Sequence, residues 1–477
     1  MAAVVHGAAR VGPQGQAAAR LDSRSPQSPG TVVATTAETS VDAVVAAVKQ
    51  ASVTQRAWWA VGGPARATVL GRMADHLARR RDEVVELVVR EVGKPLSEAR
   101  AEVDRAVSIT TYYAQQALSP VGESFPASGG GRLWTERRPH GVAGLITPWN
   151  FPIAIPLWKA APALAAGNAV VLKPSPDAFA TATWLAELAA EVLPEGLFTV
   201  LPGGAATGAA VVSHCDVVSF TGSETVGRRV SADAAARGVP VQAEMGGQNA
   251  AIVLPDADAA VAAATIAGAA MGFAGQKCTA TRRIVVVGPE QRQAEVREAL
   301  VQAVAKLEVG DPERSDVSVG PLITEAARER VVDAARAVVA LGGRVLVGGD
   351  ALDRDGWYVA PALVDGVPAD HELAQEELFG PFAVVLEATN VAEALRIAEG
   401  VRFGLVTSVH GRDAGTLLHV VEGVETGMVK VNAATTGVDF YAPFGGERDS
   451  SYGPREQGSG ALDFYTSTRT VTFAPHP

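Results

Sequence analysis

Residues 142–177 read VAGLITPWNFPIAIPLWKAAPALAAGNAVVLKPSPD. The stretch opens on a short apolar run, Val142 to Ile146, passes through a proline-bracketed turn and a helical pattern, and returns to a second apolar run, Ala169 to Leu172. The alternation continues through Phe198 to Leu201, Val217 to Phe220, Val241 to Glu244 and Ala251 to Leu254. Short buried strands separated by about ten to fifteen helical residues are βαβ units, which predicts an α/β fold with a parallel sheet covered by helices on both faces. Such sheets bind ligands at the carboxyl ends of their strands, so the residues just after each run are where chemistry is sought.

Three of those ends are unusual. Thr147 to Pro152 (TPWNFP) holds Trp149, Asn150 and Phe151 between two prolines, which stiffens the backbone and fixes the direction of the Asn150 amide. That amide suits donation to a developing oxyanion, and the motif is equally a Pro-rich turn with an Asx hydrogen bond. In Lys173 to Asp177 (KPSPD), Ser175 is a natural N-cap and Pro176 a natural first helical residue. Free N–H groups beside Lys173 would make an anion or ribose site; a capped helix with a surface lysine has the same sequence. In Phe220 to Gly227 (FTGSETVG), Gly222 permits a tight turn, Ser223 offers a hydroxyl and an N–H to a phosphate, and Gly227 allows close packing or approach to a ligand. This is not the G-x-G-x-x-G fingerprint, so alone it is only compatible with a nucleotide.

The next run ends on Glu244, followed by Met245, Gly246 and Gly247. A carboxylate with open space beside it suits a general base, and also a helix cap or a lysine partner. One helix later comes GFAGQKCTATRR, Gly272 to Arg283, with Cys278, one of two cysteines in 477 residues. Its small neighbours are expected to leave the sulfur accessible, and the adjacent Lys277 cation favours a thiolate, although a cysteine is more often a small buried hydrophobe.

Upstream, Ser40 to Gln55 reads as a helix with Ser40 as N-cap, Pro64 to Arg90 as a helix broken near Arg81, and Val103 to Tyr113 as a further part of a covering layer. Residues 119–141 turn to Pro, Gly and Ser around RLWTERR (132–138), a protruding β segment. Residues 1–30, rich in Ala, Gly, Pro and Ser, read as a flexible arm that only faintly resembles a targeting peptide. The length exceeds what one core serves, so two or three domains are expected. With 41 Lys+Arg against 52 Asp+Glu, the charge of −11 has the wrong sign for a nucleic-acid partner. No apolar run approaches membrane-spanning length, so no membrane partner is expected. Two cysteines make no disulfide framework, which fits a reduced thiol and a cytoplasmic location.

The blocks TPWNFP, KPS, FTGSETVG, EMGG, GQKCTA, EELFGP (Glu376 to Pro381) and PFGG (Pro443 to Gly446), in this order, resemble the aldehyde dehydrogenase superfamily from about Ala34 to Phe473. The resemblance implies an aldehyde dehydrogenase-like α/β architecture. A Rossmann-like NAD(P)-binding domain would span 31–118 and 140–247, a catalytic α/β domain 248–450, and a small β oligomerisation element 119–139 and 459–477, joining RLWTERR to the strand Tyr465 to Phe473. It further implies that Cys278 attacks an aldehyde carbonyl, that Asn150 and the Cys278 N–H hold the oxyanion, that Glu244 activates the hydrolytic water, and that Glu456 relays the proton. The implied cofactor residues are Trp149, Lys173, Ser175, Gly222, Ser223, Gly227, Glu377 and Phe379; no metal is implied. Where NAD-preferring relatives carry a glutamate three residues after the lysine, this chain has Pro176. Without a carboxylate to repel a 2′-phosphate, NADP is expected to be acceptable beside NAD, with Asp177 able to restore some bias.

The run Gly427 to Gly458, with GQKCTATRR, is most similar to the branch that includes 2,5-dioxovalerate (α-ketoglutaric semialdehyde) dehydrogenases, whose aldehydes also carry an acid group. Lys277, with Arg282 or Arg283, would suit such an anion, although the two arginines more simply anchor backbone and face solvent. Phe151, Trp158, Thr279, Asp439, Tyr441 and Phe444 are expected to line the substrate pocket and its mouth, while Glu447 and Arg448 depart from the family and their role stays open. Two alternatives share the scaffold: a CoA-acylating dehydrogenase, which tends to lack the water-activating carboxylate, and a non-catalytic protein. The terminal strand points to a homodimer or homotetramer built by sheet extension.

Overall fold

The computed structural model describes residues 19–119 and 122–474. Its first sheet has the strand order Ser451–Tyr452, Val241–Glu244, Val217–Thr221, Val142–Ile146, Ala169–Lys173, Phe198–Val200, and all but the first strand run parallel. Every residue of the four central strands is buried, which is why they read as continuous apolar runs and not as alternation. From Val142–Ile146 the chain crosses to Ala169–Lys173 on one side and later returns to Val217–Thr221 on the other. The turns after Ile146 and Thr221 therefore flank a topological switch point, where a ligand crevice opens.

The second sheet has the order Arg344–Val347, Ala362–Asp365, Phe382–Ala388, Thr281–Val287, Asn249–Val253, Val406–His410, Met428–Val431. The apolar run Ala251 to Leu254, expected in the same sheet as the others, belongs here, parallel to both Thr281–Val287 and Val406–His410. Continuous apolarity reports burial on two faces, not which sheet does the burying. Two cores of buried side chains follow the sheets, one reaching from Val44 to Met245 with Phe273 and Phe464, the other from Ala250 to Val424. The seam between them falls where Glu244 and Cys278 lie.

The covering helices form as their patterns require. Val41–Ala60 starts on Ser40, whose hydroxyl accepts from Ala43 N at 3.2 Å. Gly62–Arg79 and Arg81–Val92 are separate helices broken at Arg80, and Leu96–Gln116 follows. No helix among the described residues is long and apolar enough to cross a membrane. All eight residues of Arg132–Pro139 pair antiparallel with Thr466–Phe473, so RLWTERR joins the C-terminal strand. Part of the expected N-terminal arm is ordered: Arg20–Arg24 pairs antiparallel with Val32–Ala37 and turns Ser23 inward. Residues 1–18 of that arm lie outside the described residues.

The helix expected from Pro176 begins as a short 3-10 turn, Pro176–Ala178, capped by Ser175, and continues as Phe179–Ala190. Its N–H groups are not free, as the anion-site reading required. The buried Glu91 accepts from Ala180 N and Thr181 N, both at 2.7 Å, from the Thr181 hydroxyl, and from Ser23 Oγ at 2.8 Å. The chain fills this helix start with its own carboxylate. Glu91→Ala leaves these buried donors unpaired, and a loss of about 3 kcal/mol is expected in urea unfolding.

Candidate active site

The strand ends meet the second core across a cleft of about 730 Å³, lined by Trp149, Asn150, Lys173, Ser175, Gly222, Ser223, Gly246, Cys278, Glu377 and Phe379. Ser223 opens the helix Glu224–Ala236 without capping it, which leaves its hydroxyl and the first N–H groups of the helix for a ligand. Gly227 does not line the cleft: a Cβ there would fall 2.7 Å from Met245, so this glycine serves helix-to-strand packing. Lys173 is buried, which holds its ammonium down to about 8 against the opposing pull of the Asp177 and Glu38 carboxylates.

On the far wall, Phe379 adopts φ 53, a left-handed conformation strained for a bulky residue, and presents its ring edge-to-face to Trp149 at 5.7 Å between centroids. The glycines after Glu244, expected to leave open space, instead admit other groups. A Cβ at Gly246 would lie 2.3 Å from the Glu377 carboxylate, and one at Gly247 would lie 2.9 Å from the Cys278 carbonyl. Burial pushes Glu377 up to about 7, and its Oε1 accepts only weakly from Gly247 N, at 3.3 Å.

Cys278 follows a contorted turn, Gly272–Gly275, in which Phe273 (φ 54), Ala274 (φ 51) and Gly275 (φ 64) are all left-handed. Its small neighbours serve packing and not access: a Cβ on Gly275 would fall 2.3 Å from the Gly380 carbonyl. The thiol is half-buried. Asn150 is tied to this loop through Nδ2, which donates to the Gln276 carbonyl at 2.9 Å, leaving the second amide hydrogen uncommitted among the described residues. Lys277 does not stabilise a thiolate. Its ammonium pairs with Glu98 at 2.7 Å, and burial together with the Glu377, Glu244 and Glu456 carboxylates pushes the Cys278 thiol up to about 12, opposed by the Thr279 backbone N–H.

Arg282 and Arg283 are buried and spend their guanidinium groups on carbonyls, those of Gly275 and Gly380 for Arg282, and of Gln248, Ile397 and Ala398 for Arg283. Neither reaches out as a substrate cation. Phe444 and Trp158 pack at 5.6 Å between ring centroids, and Phe444 with Leu405 and Val406 forms the apolar cluster against which Cys278 rests. Phe151 carries the Lys94 ammonium 3.7 Å over its ring. Asp439 and Tyr441 are exposed. Arg448 holds the Glu399 and Val401 carbonyls and pairs with Glu425, while Glu447 pairs with Arg455, so both departures from the family are structural.

Behind the thiol lies a buried polar cluster that sequence reading caught only in part. Glu244 accepts from Ser451 Oγ at 2.6 Å, and burial plus the neighbouring Glu456 carboxylate raise it well above the usual carboxylate range. Glu456 in turn pairs with the buried Lys159 and accepts from Ser219 Oγ at 3.2 Å. Lys159 had a signal: it is the one charged residue in Ala154–Ala165, a helix buried throughout, and a buried ammonium requires an anionic partner. Ser451 had none, because only the antiparallel register Ser451↔Glu244 brings it there.

A sequence model of the aldehyde dehydrogenase family matches residues 14–471. The chain is 37% identical over 438 residues to alpha-ketoglutaric semialdehyde dehydrogenase of Bacillus subtilis strain 168, covering 90% of this chain and 89% of that one. It is 38% identical over 457 residues to alpha-ketoglutarate semialdehyde dehydrogenase of Haloferax volcanii, covering 94% of each. Among solved structures, an NAD-dependent aldehyde dehydrogenase from Sinorhizobium meliloti superposes with a TM-score of 0.92 at 33% identity, covering 97% of this chain and 94% of that one. The two sheets, the cleft at their seam and the thiol on its floor are thus those of a known enzyme fold, and the chain belongs to the aldehyde dehydrogenase family.

Proposed function

We propose that this chain oxidises a small, acid-bearing aldehyde to the carboxylate through a thiohemiacetal and a thioester on Cys278, with NAD or NADP as acceptor. The observation that carries the reading is the meeting of Cys278, Asn150 and Glu377 in one cleft, with Glu244 beside the thiol. The cleft fits a dinucleotide on its own terms. The Ser223 hydroxyl and helix N–H groups suit a pyrophosphate, Lys173 and Glu377 suit ribose hydroxyls, and the buried Thr147 and Thr221 hydroxyls have no partner among the described residues. When bound, the nicotinamide supplies the acceptor for hydride. The chain does the rest: Cys278 loses its thiol proton to solvent, the thiolate adds to the carbonyl carbon, and the uncommitted Asn150 amide hydrogen with the Cys278 N–H takes the oxyanion. After oxidation Glu244 removes a proton from the water that cleaves the thioester, and the Glu456 carboxylate, held by Lys159, receives it from Glu244.

The first core would hold the cofactor and the second the thiol, and the exposed strand Thr466–Phe473 supports a homodimer or homotetramer built by sheet extension. The need for a reduced thiol supports a cytoplasmic setting. The test is a comparison of 2,5-dioxopentanoate with pentanal, each with NAD and with NADP, followed at the reduced-cofactor absorbance. The acidic aldehyde is expected to exceed the neutral one in kcat/KM by roughly tenfold or more. NADP is expected to work less well than NAD, since Asp177 and Glu38 set negative charge beside Lys173. Equal kcat/KM on the two aldehydes overturns the acid-bearing reading.

A further inference from the structure

An acid-bearing aldehyde needs a cation near the thiol, and the cations adjacent to Cys278 in sequence are all committed, Lys277 to Glu98 and both arginines to backbone carbonyls. The helix Leu96–Gln116 carries a further cation. One of its faces, at helical spacing, meets the loops around Cys278 in turn. Glu98 binds Lys277, Glu102 accepts from the N–H groups of Ile153 and Ala154 just after the Asn150 turn, and Tyr112 packs on Phe440. Between Glu102 and Tyr112 on this face stands Arg105.

The Arg105 guanidinium donates through Nη1 to the Val438 carbonyl, and the Val438 side chain packs on the same cluster of Leu405, Val406 and Phe444 that supports Cys278. Arg105 is half-buried. Among the described residues it has no carboxylate at ion-pair distance, and its Nε and Nη2 donors have no acceptor. Most other arginines that close to a core here are neutralised or spent on carbonyls, as Arg283 and Arg448 are. A planar guanidinium, held at one nitrogen with its other donors unpaired, can engage a carboxylate through two parallel N–H donors.

We propose that Arg105 binds the carboxylate of the substrate and thereby selects aldehydes whose acid group lies several carbons from the reacting carbonyl. The proposal rests on the acid-bearing reading above. In this arrangement the Val438 contact presets the guanidinium, and the apolar wall of Phe444 and Trp158 holds the carbon chain between the two ends.

The test is the ratio of kcat/KM for 2,5-dioxopentanoate to that for pentanal, measured in the wild-type enzyme, Arg105→Met and Arg105→Lys. Taking the ratio within each variant cancels any general loss of folded enzyme. Wild type is expected to favour the acid; Arg105→Met is expected to lower that ratio by roughly 10- to 100-fold, chiefly through KM, the scale of a charge-assisted hydrogen-bond pair. Arg105→Lys is expected to keep part of the preference, having charge without the fork. A second readout needs no turnover: pentanoate should slow iodoacetamide labelling of Cys278 in wild type and not in Arg105→Met. An equal fall on both aldehydes, or an unchanged ratio with intact pentanoate protection, would mean that Arg105 only anchors the Val438 loop, and the proposal fails while the acid-bearing reading stands. A wild-type enzyme with no preference removes both.

Discussion

Cys278→Ala is expected to reduce aldehyde-dependent NADH formation by at least about four orders of magnitude in kcat/KM, the scale on which removal of a covalent nucleophile is felt. The other cysteine cannot stand in. The second cysteine, Cys215, is wholly buried, its thiol pushed up to about 12 by desolvation, and it fills the space beside Gly144, where a Cβ would lie 2.9 Å from its sulfur. The burial that makes Cys278 a strong nucleophile once ionised also keeps it protonated. Its thiol too stands at about 12, raised by desolvation and by three carboxylates. The thiolate fraction below that value rises tenfold per pH unit, so iodoacetamide labelling of the cofactor-free enzyme should accelerate steadily from pH 6 to 9, without a plateau near neutrality. A plateau there would mean that Lys277 or another cation does reach the sulfur. Residual activity in Cys278→Ala would remove the nucleophile assignment altogether.

What was legible in the sequence is what local chemistry determines. The strands of the first sheet carry their burial on both faces, and the motifs at their ends sit where βαβ topology puts a crevice, so the placing of Asn150, Lys173 and Ser223 along a cleft is legible from the sequence. The Glu377 and Phe379 positions were reached only through resemblance, because an acid before Leu-Phe-Gly reads as an exposed helix end until the Gly246 approach is seen. The pairings that the sequence hides share one cause. Lys277 reads from the sequence as a neighbour of the Cys278 thiol, yet its partner Glu98 lies 179 positions away. The helix start after Ser175, expected to offer free N–H groups beside Lys173, is filled by Glu91, 89 positions upstream of Ala180. Lys159 and Glu456 are 297 positions apart, and Glu244 and Ser451 are 207 apart. Charges buried in a seam between two cores find partners by topology, and no spacing rule reports them.

Glu244→Gln is expected to leave a full burst of NADH on first turnover and to slow steady-state turnover by roughly 100- to 1000-fold, the range of a lost general base. Glutamine keeps the shape of the side chain and an oxygen for the Ser451 hydroxyl, so the pocket is not opened. Acylation should not suffer, because Glu244 is one of the carboxylates that hold the Cys278 thiol up; removing its charge favours the thiolate. Deacylation loses the group that takes a proton from water, and the thioester accumulates. The pH dependence separates these steps. Burial and the Glu456 charge raise Glu244, so its basic form is complete only above that raised value, and wild-type turnover should fall as pH drops through it. In Glu244→Gln that limb should vanish, leaving a slow rate that is flat with pH. Hydroxylamine, a nucleophile that needs no base, should then restore turnover by cleaving the thioester directly. Loss of the burst in Glu244→Gln would instead place Glu244 before hydride transfer, as the base that ionises Cys278, and would leave thioester hydrolysis to the pair formed by Glu456 and Lys159.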